Sequence, residues 1–161
     1  MHITHQTGPA DFESVRSAYV DAGWGERVNV RPYIDEIVTS FAEADLVICR
    51  AGATTTAELI AAAKASIMIP FPFAADDHQR RNAETLEAAG AAKMILQQNL
   101  SGERLAREIE GLALQPEKVT EMEHASRKLA HDDAAAATVD LIEELVSSGN
   151  YGTRATDHGQ R

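Results

Sequence analysis

Leu46-Val47-Ile48-Cys49-Arg50-Ala51-Gly52-Ala53-Thr54-Thr55-Thr56-Ala57-Glu58 decides the architecture of this 161-residue chain. The unbroken apolar run 46–49 is too short for a helix and carries the mark of a strand covered on both faces. A glycine turn follows at once, and residues 54–64, rich in alanine, read as a helix. A buried strand leading through a turn into a helix is the start of a right-handed βαβ unit. The alternation extends both ways. Downstream, residues 67–69 give a short buried strand stopped at Pro70, residues 77–89 a helix ending at Gly90, and residues 93–96 a further strand. Upstream, residues 11–22 place Phe12, Val15, Ala18, Tyr19 and Ala22 at helical spacing between Pro9 and Gly23. Residues 28–30 form a β-branched piece ended by Pro32, and residues 34–44 a helix with Ile37, Val38 and Phe41 on one face. Beyond residue 96 the pattern is helical at 101–113, 117–131 and 133–146, with Ser101 and Asp132 as caps. Residues 147–161 are polar and aperiodic, and disorder is expected there. The expected fold class is α/β, a Rossmann-like parallel sheet flanked by helices, in a single domain over residues 1–146.

Composition narrows the function. With 44% apolar residues the chain can bury a core, which excludes wholesale disorder. Fifteen Lys and Arg against 25 Asp and Glu give a net charge of −10, which argues against nucleic acid as a partner. One small anion held by local backbone dipoles stays compatible with that charge. Cys49 has no partner for an internal disulfide, in keeping with a reducing, cytoplasmic compartment. No apolar run approaches the roughly 18 residues of a membrane span, and residues 1–8 lack the pattern of a signal peptide.

In parallel sheets of this kind a ligand lies beyond the carboxyl ends of the strands. The loops after Cys49 and after Ile69 are therefore the candidate site. In the first, Gly52 allows a tight turn and close approach of a ligand to the backbone. The free N–H groups near Thr54 and Thr55, with the helix dipole, suit a phosphate. Glu58, one turn further, cannot assist a phosphate but can accept hydrogen bonds from a ribose diol. The plainer alternative is that Gly52 only permits a turn, the threonines cap, and Glu58 is a solvated helix residue. Neither a G-x-G-x-x-G nor a G-x-x-x-x-G-K-[ST] motif is present, so a dinucleotide enzyme or a P-loop ATPase has no support.

The second loop, Pro70-Phe71-Pro72-Phe73-Ala74-Ala75-Asp76-Asp77-His78-Gln79-Arg80-Arg81-Asn82-Ala83, leaves its strand through two stiffening prolines. Asp76 or Asp77 is placed to cap the next helix. His78 and Gln79 then fall in its first turn, with Asn82 on the same face. Side chains that both donate and accept are what sugar hydroxyls need. The alternative for His78 is a surface or capping role, and Arg80 and Arg81 are most simply a solvated face. The remaining histidines show no ligand-like spacing, so no metal is expected, and no Ser/His/Asp or Cys/His arrangement is convincing.

Taken together, the two loops resemble the donor half of the MurG family of peptidoglycan N-acetylglucosaminyltransferases. His5-Gln6-Thr7-Gly8, Tyr33-Ile34-Asp35 and Ala88-Ala89-Gly90-Ala91-Ala92 fit the same family, and the resemblance covers about residues 3–146. It implies the C-terminal half of a two-domain GT-B fold. It also implies an inverting transfer of GlcNAc from UDP-GlcNAc to lipid I, giving lipid II, without a metal or cofactor. By motif match, backbone at Ile34 would read the uracil edge, with Tyr33 flanking it. Gly52, Ala53, Thr54 and Thr55 would bound the phosphates and sugar, and Glu58 would hold the ribose. His78 and Gln79 would contact GlcNAc hydroxyls, with Asn82 as their neighbour. Some family members carry glutamine at position 78.

Against the family pattern, the acceptor domain with its general base, and the first βα unit of the donor domain, are expected to be lacking. No catalytic residue is then expected in this chain, which alone would be inactive, and a homo-oligomer is one way to cover the weakened sheet. The acceptor would be reached through the lacking domain. The family works as a peripheral protein at the inner face of the cell membrane, whereas this acidic chain should be repelled by anionic lipid. Two other readings fit the same loops: a non-catalytic or split-subunit UDP-sugar-binding module, and another GT-B relative such as a UDP-GlcNAc 2-epimerase.

Overall fold

The computed structural model describes residues 1–74 and 77–130. Contacts divide the chain into a unit Met1–Leu129 and a second, Ala130–Arg161. The expected helix at 133–146, its cap Asp132, the tail 147–161 and the capping choice of Asp76 lie outside the described residues.

Strand and helix alternate as the periodicities require: β1 (Ile3–Gln6), α1 (Phe12–Asp21), β2 (Val28–Arg31), α2 (Ile37–Glu43), β3 (Val47–Cys49), α3 (Ala53–Ala61), β4 (Ser66–Met68), α4 (His78–Ala88) and β5 (Ala92–Met94). Two helices, α5 (Gly102–Ala113) and α6 (Pro116–Leu129), complete the described part. The Ser101 hydroxyl accepts from the Arg104 N–H at the start of α5, as a cap should. Gly23 and Gly90, just past the ends of α1 and α4, sit at φ +76° and +78°, where a side chain would be strained. β1 carries no strand signal in the sequence, because Ile-Thr-His-Gln has a single apolar residue.

All pairings are parallel, but they build two sheets: β1 with β2, and β3-β4-β5 with β4 central. β4 is buried on both sides. Met68 joins a core with Phe41, Val47, Leu59 and Leu86, while Ile67 and Ile69 join a second with Ile95, Leu112 and Met122. Neither core includes a side chain from residues 1–33, and Ile34 is the first buried residue of the chain. The expectation that the run 46–49 is covered on both faces needs correction. Val47 is buried, but Ile48 is 41% exposed on β3, which pairs only with β4 and so forms the edge of its sheet.

Candidate functional site

Parallel strands send their following loops out at one end of each sheet, and three of these loops are fastened by side chains from elsewhere in the chain. After β3, the Ala51 carbonyl accepts from Nδ2 of Asn82, on α4, at 2.9 Å. After β4, the Phe71 N–H donates to Oε1 of Gln79, also on α4, at 3.0 Å. Arg50 joins the two loops directly. Its Nη1 donates to the Ile69 carbonyl at 3.1 Å and to that of Pro70 at 3.4 Å. Its guanidinium lies 5.7 Å from the centre of the Phe71 ring, within reach of a cation–π attraction. After β2, the Ile34 N–H donates to Oε1 of Gln6 at 2.8 Å.

The start of α3 opens between the tied loops. Gly52 is its N-cap and no side chain caps it. Thr56 N donates to the Gly52 carbonyl at 2.9 Å, so the N–H groups of Ala53, Thr54 and Thr55 are those that lie ahead of the helical ladder. The capping role considered for the threonines is not met. Thr56 Oγ1 donates back to the Gly52 carbonyl instead, at 2.8 Å.

Gly52 itself is not there for an unusual turn. Its φ of −64° and ψ of 150° are open to any residue, which corrects the tight-turn part of the expectation. A Cβ built on it would meet nothing within 4 Å. What glycine leaves at this point is room beside the first free N–H groups of a helix, the arrangement that admits a phosphate. The side chain of Glu58, a half-buried residue of the same helix, makes no hydrogen bond or ion pair with any described residue.

The structure thus brings Gly52, Ala53, Thr54, Thr55, Gln79 and Asn82 into one neighbourhood. His78 opens α4, and Asp77 before it adopts the left-handed conformation, with φ 56°, without capping through its side chain. Arg80 faces solvent, paired with Glu84 at 2.8 Å. Tyr33 and Ile34 sit on the loop after β2, Tyr33 66% exposed and Ile34 buried. That loop leads into α2, where Ile37 packs against the core that holds Ala51. Three residues that fasten this site, Gln6, Arg50 and Phe71, are not among the residues that the sequence marks as ligand contacts. An arginine at the end of an apolar strand is the one local signal that marks any of them.

Cys49, at the end of β3, has its thiol pushed up to about 11 by burial. It stays protonated at neutral pH and is no nucleophile there. Among the described residues no three His, Cys, Asp or Glu side chains cluster as metal ligands, and no helix is long and apolar enough to cross a membrane.

Residues 1–138 match the family model of the glycosyltransferase family 28 C-terminal domain. The chain is 46% identical over 146 residues to the UDP-N-acetylglucosamine--N-acetylmuramyl-(pentapeptide) pyrophosphoryl-undecaprenol N-acetylglucosamine transferase of Myxococcus xanthus, covering 91% of this chain and 38% of that protein. It is 50% identical over 139 residues to the protein of the same name from Geobacter sp., covering 86% and 37%. Among solved structures it resembles MurG of Acinetobacter baumannii, with a TM-score of 0.80 and 37% identity over 89% of this chain and 43% of that one. The chain therefore spans less than half the length of the relatives it matches.

Proposed function

The chain belongs to the family of glycosyltransferase family 28 C-terminal domains, and on that premise we propose that it holds the donor of an N-acetylglucosaminyltransferase, UDP-GlcNAc. The observation that carries this reading is the pair of loops after β3 and β4, tied by Arg50, Asn82 and Gln79 around the uncapped start of α3. A diphosphate there meets the N–H groups of Ala53, Thr54 and Thr55 and the positive end of the helix dipole. The Glu58 carboxylate, without a partner among the described residues, accepts from the ribose hydroxyls. His78, Gln79 and Asn82 line the sugar, and the loop of Tyr33 and Ile34 takes the uracil.

The chemistry this part supplies is electrostatic. As the anomeric bond breaks, charge develops on UDP, and oriented N–H donors at a helix start stabilise it. The relatives' printed names carry the acceptor, an N-acetylmuramyl pyrophosphoryl-undecaprenol, which is a lipid. We propose the same acceptor for the complete reaction, and with it a place of work at the cytoplasmic membrane face. Deprotonation of the acceptor hydroxyl is assigned to residues outside these 161, so the chain alone binds donor without transferring it.

An NMR titration of the 161-residue chain with UDP, UDP-GlcNAc and UDP-GalNAc tests the reading. The amides of Gly52 to Thr55 are expected to shift with all three ligands, and those near Gln79 to distinguish the two sugars. Saturating UDP-GlcNAc that leaves the amides of Gly52 to Thr55 unmoved would sink it.

A further inference from the structure

We propose that the outer edge of β3 is a docking surface for a second copy of this chain, the two copies pairing β3 with β3 in antiparallel fashion about Ile48. The bonds between β3 and β4 fix which way each backbone group points. Val47 N donates to the Ala65 carbonyl at 3.1 Å, and Ile69 N donates to the Cys49 carbonyl at 2.8 Å, so Val47 and Cys49 face β4. Alternate residues of a strand aim their N–H and C=O to opposite sides. The N–H and carbonyl of Ile48 therefore aim out of the sheet, and neither meets a partner among the described residues. The Ile48 residue is 41% exposed there. The opposite edge of the same sheet is treated differently. On β5, Ile95 N donates to the Met68 carbonyl at 2.9 Å, so Met94 is the residue that faces outward. Its N–H is taken by Oε1 of Glu87, at 2.8 Å, and a side chain thus closes that edge. β3 has no such stopper. Leu46-Val47-Ile48-Cys49 carries no charge and no proline, the devices that keep an edge strand from pairing.

Symmetry and charge make a second copy the occupant. A two-fold interface needs a patch that complements itself. Ile48 offers one outward donor and one outward acceptor, so two Ile48 residues across a two-fold axis exchange both bonds, as a hydrogen-bonded pair of an antiparallel ladder does. Directly opposite residues share a face of the sheet, so the two exposed Ile48 side chains cover each other. Exposed Asp45 stands before the strand and exposed Arg50 after it. Antiparallel pairing brings the Arg50 end of each copy to the Asp45 end of the other, acid against base. The two sheets then run on as one, with β3 of each copy at the centre and its bare edge removed.

Analytical ultracentrifugation of the 161-residue chain over a wide range of concentration tests this. The wild type is expected to pass from monomer to dimer as concentration rises, with the Ile48 amide exchanging slowly in the dimer and fast in the monomer. Ile48→Lys sets like charges opposite each other across the axis. Ile48→Pro removes the outward N–H and no bond to β4, the one kind of position a strand leaves to proline. Each variant should stay monomeric at concentrations where the wild type is dimeric. A wild-type measurement stands beside them should both fail to fold. Pairing about Ile48 sets Val47 of one copy opposite Cys49 of the other, so a mixed sample of labelled and unlabelled chains should give an intermolecular NOE between their Hα protons. A wild type that stays monomeric throughout, a dimer that the folded variants retain, or a dimer lacking that NOE would overturn the proposal.

Discussion

The side-chain NH2 of Asn82 donates to the Ala51 carbonyl at 2.9 Å across 31 residues of chain. Ala51 is fully buried, so this bond fixes the residue that immediately precedes the Gly52 turn. Asn82 was expected to lie against the sugar. The structure gives one of its two N–H donors a different task, which leaves the other and Oδ1 to face a ligand.

Removing that donor should loosen the turn. Asn82→Leu keeps the bulk but leaves the Ala51 carbonyl without its partner, a loss of about 1–3 kcal/mol for a buried polar group. Asn82→Asp sets a carboxylate against the carbonyl and is expected to be worse. Faster hydrogen exchange at the Thr56 amide, which bonds the Gly52 carbonyl, and a weakened UDP affinity, in the order Asp worse than Leu, are the expected results.

Glu58 offers a sharper test of the ribose assignment. A site built around a hydrogen bond discriminates strongly against a ligand that lacks the group. The wild-type chain should therefore bind UDP about tenfold or more tightly than 2′-deoxy-UDP. Glu58→Gln should shrink that ratio, with little change in thermal stability, since the Glu58 side chain bonds no described residue. Equal loss for both nucleotides would move Glu58 out of the ribose pocket.

Ser66 predicts a gain in stability. It is fully buried in the central strand β4, and its hydroxyl has no hydrogen-bond partner among the described residues. An unsatisfied buried hydroxyl carries a desolvation cost that Ser66→Ala removes. The variant is expected to equal or exceed the wild type by up to about 1 kcal/mol, read as a rise of a few degrees in melting temperature.

The Cys49 thiol fixes a pH dependence at the alkaline end. Its folded value is raised by burial from 9.0 to about 11, so between those values the unfolded chain has lost a proton that the folded chain keeps. The unfolded state then binds fewer protons, and stability falls as pH rises. The contribution is fully present below pH 9.0 and lost by about 11. Cys49→Ala should flatten that part of the stability profile, and alkylation of the native thiol should stay slow at pH 8.

Much of this was legible in the residues themselves. Apolar runs at 46–49 and 67–69 and helical spacing elsewhere placed four of the five strands and each described helix to within a few residues. Those signals depend on burial, and they fail where burial is slight. β1, with no residue fully buried and one apolar residue in four, carries no such signal. The exposure of Ile48 could not be foreseen either, since it depends on which strands are neighbours. In the site, residue types announced the chemistry, while the ties between loops did not show. Gln6, Arg50 and Asn82 each reach 19 or more residues along the chain to a backbone atom, and no local pattern encodes a backbone partner at that distance.

The division of the strands into two sheets gives the ligand a mechanical part to play. The β1–α1–β2 piece contributes nothing to either core, and α1 has no buried residue, so this piece has the least of its own to resist fluctuation. A uridine diphosphate with its base at Ile34 and its phosphates at α3 would bridge the pieces like a strut. Stiffness in the first thirty residues would then be conferred by occupancy, and the bound and empty chains would differ more in their vibrations than in their average shape.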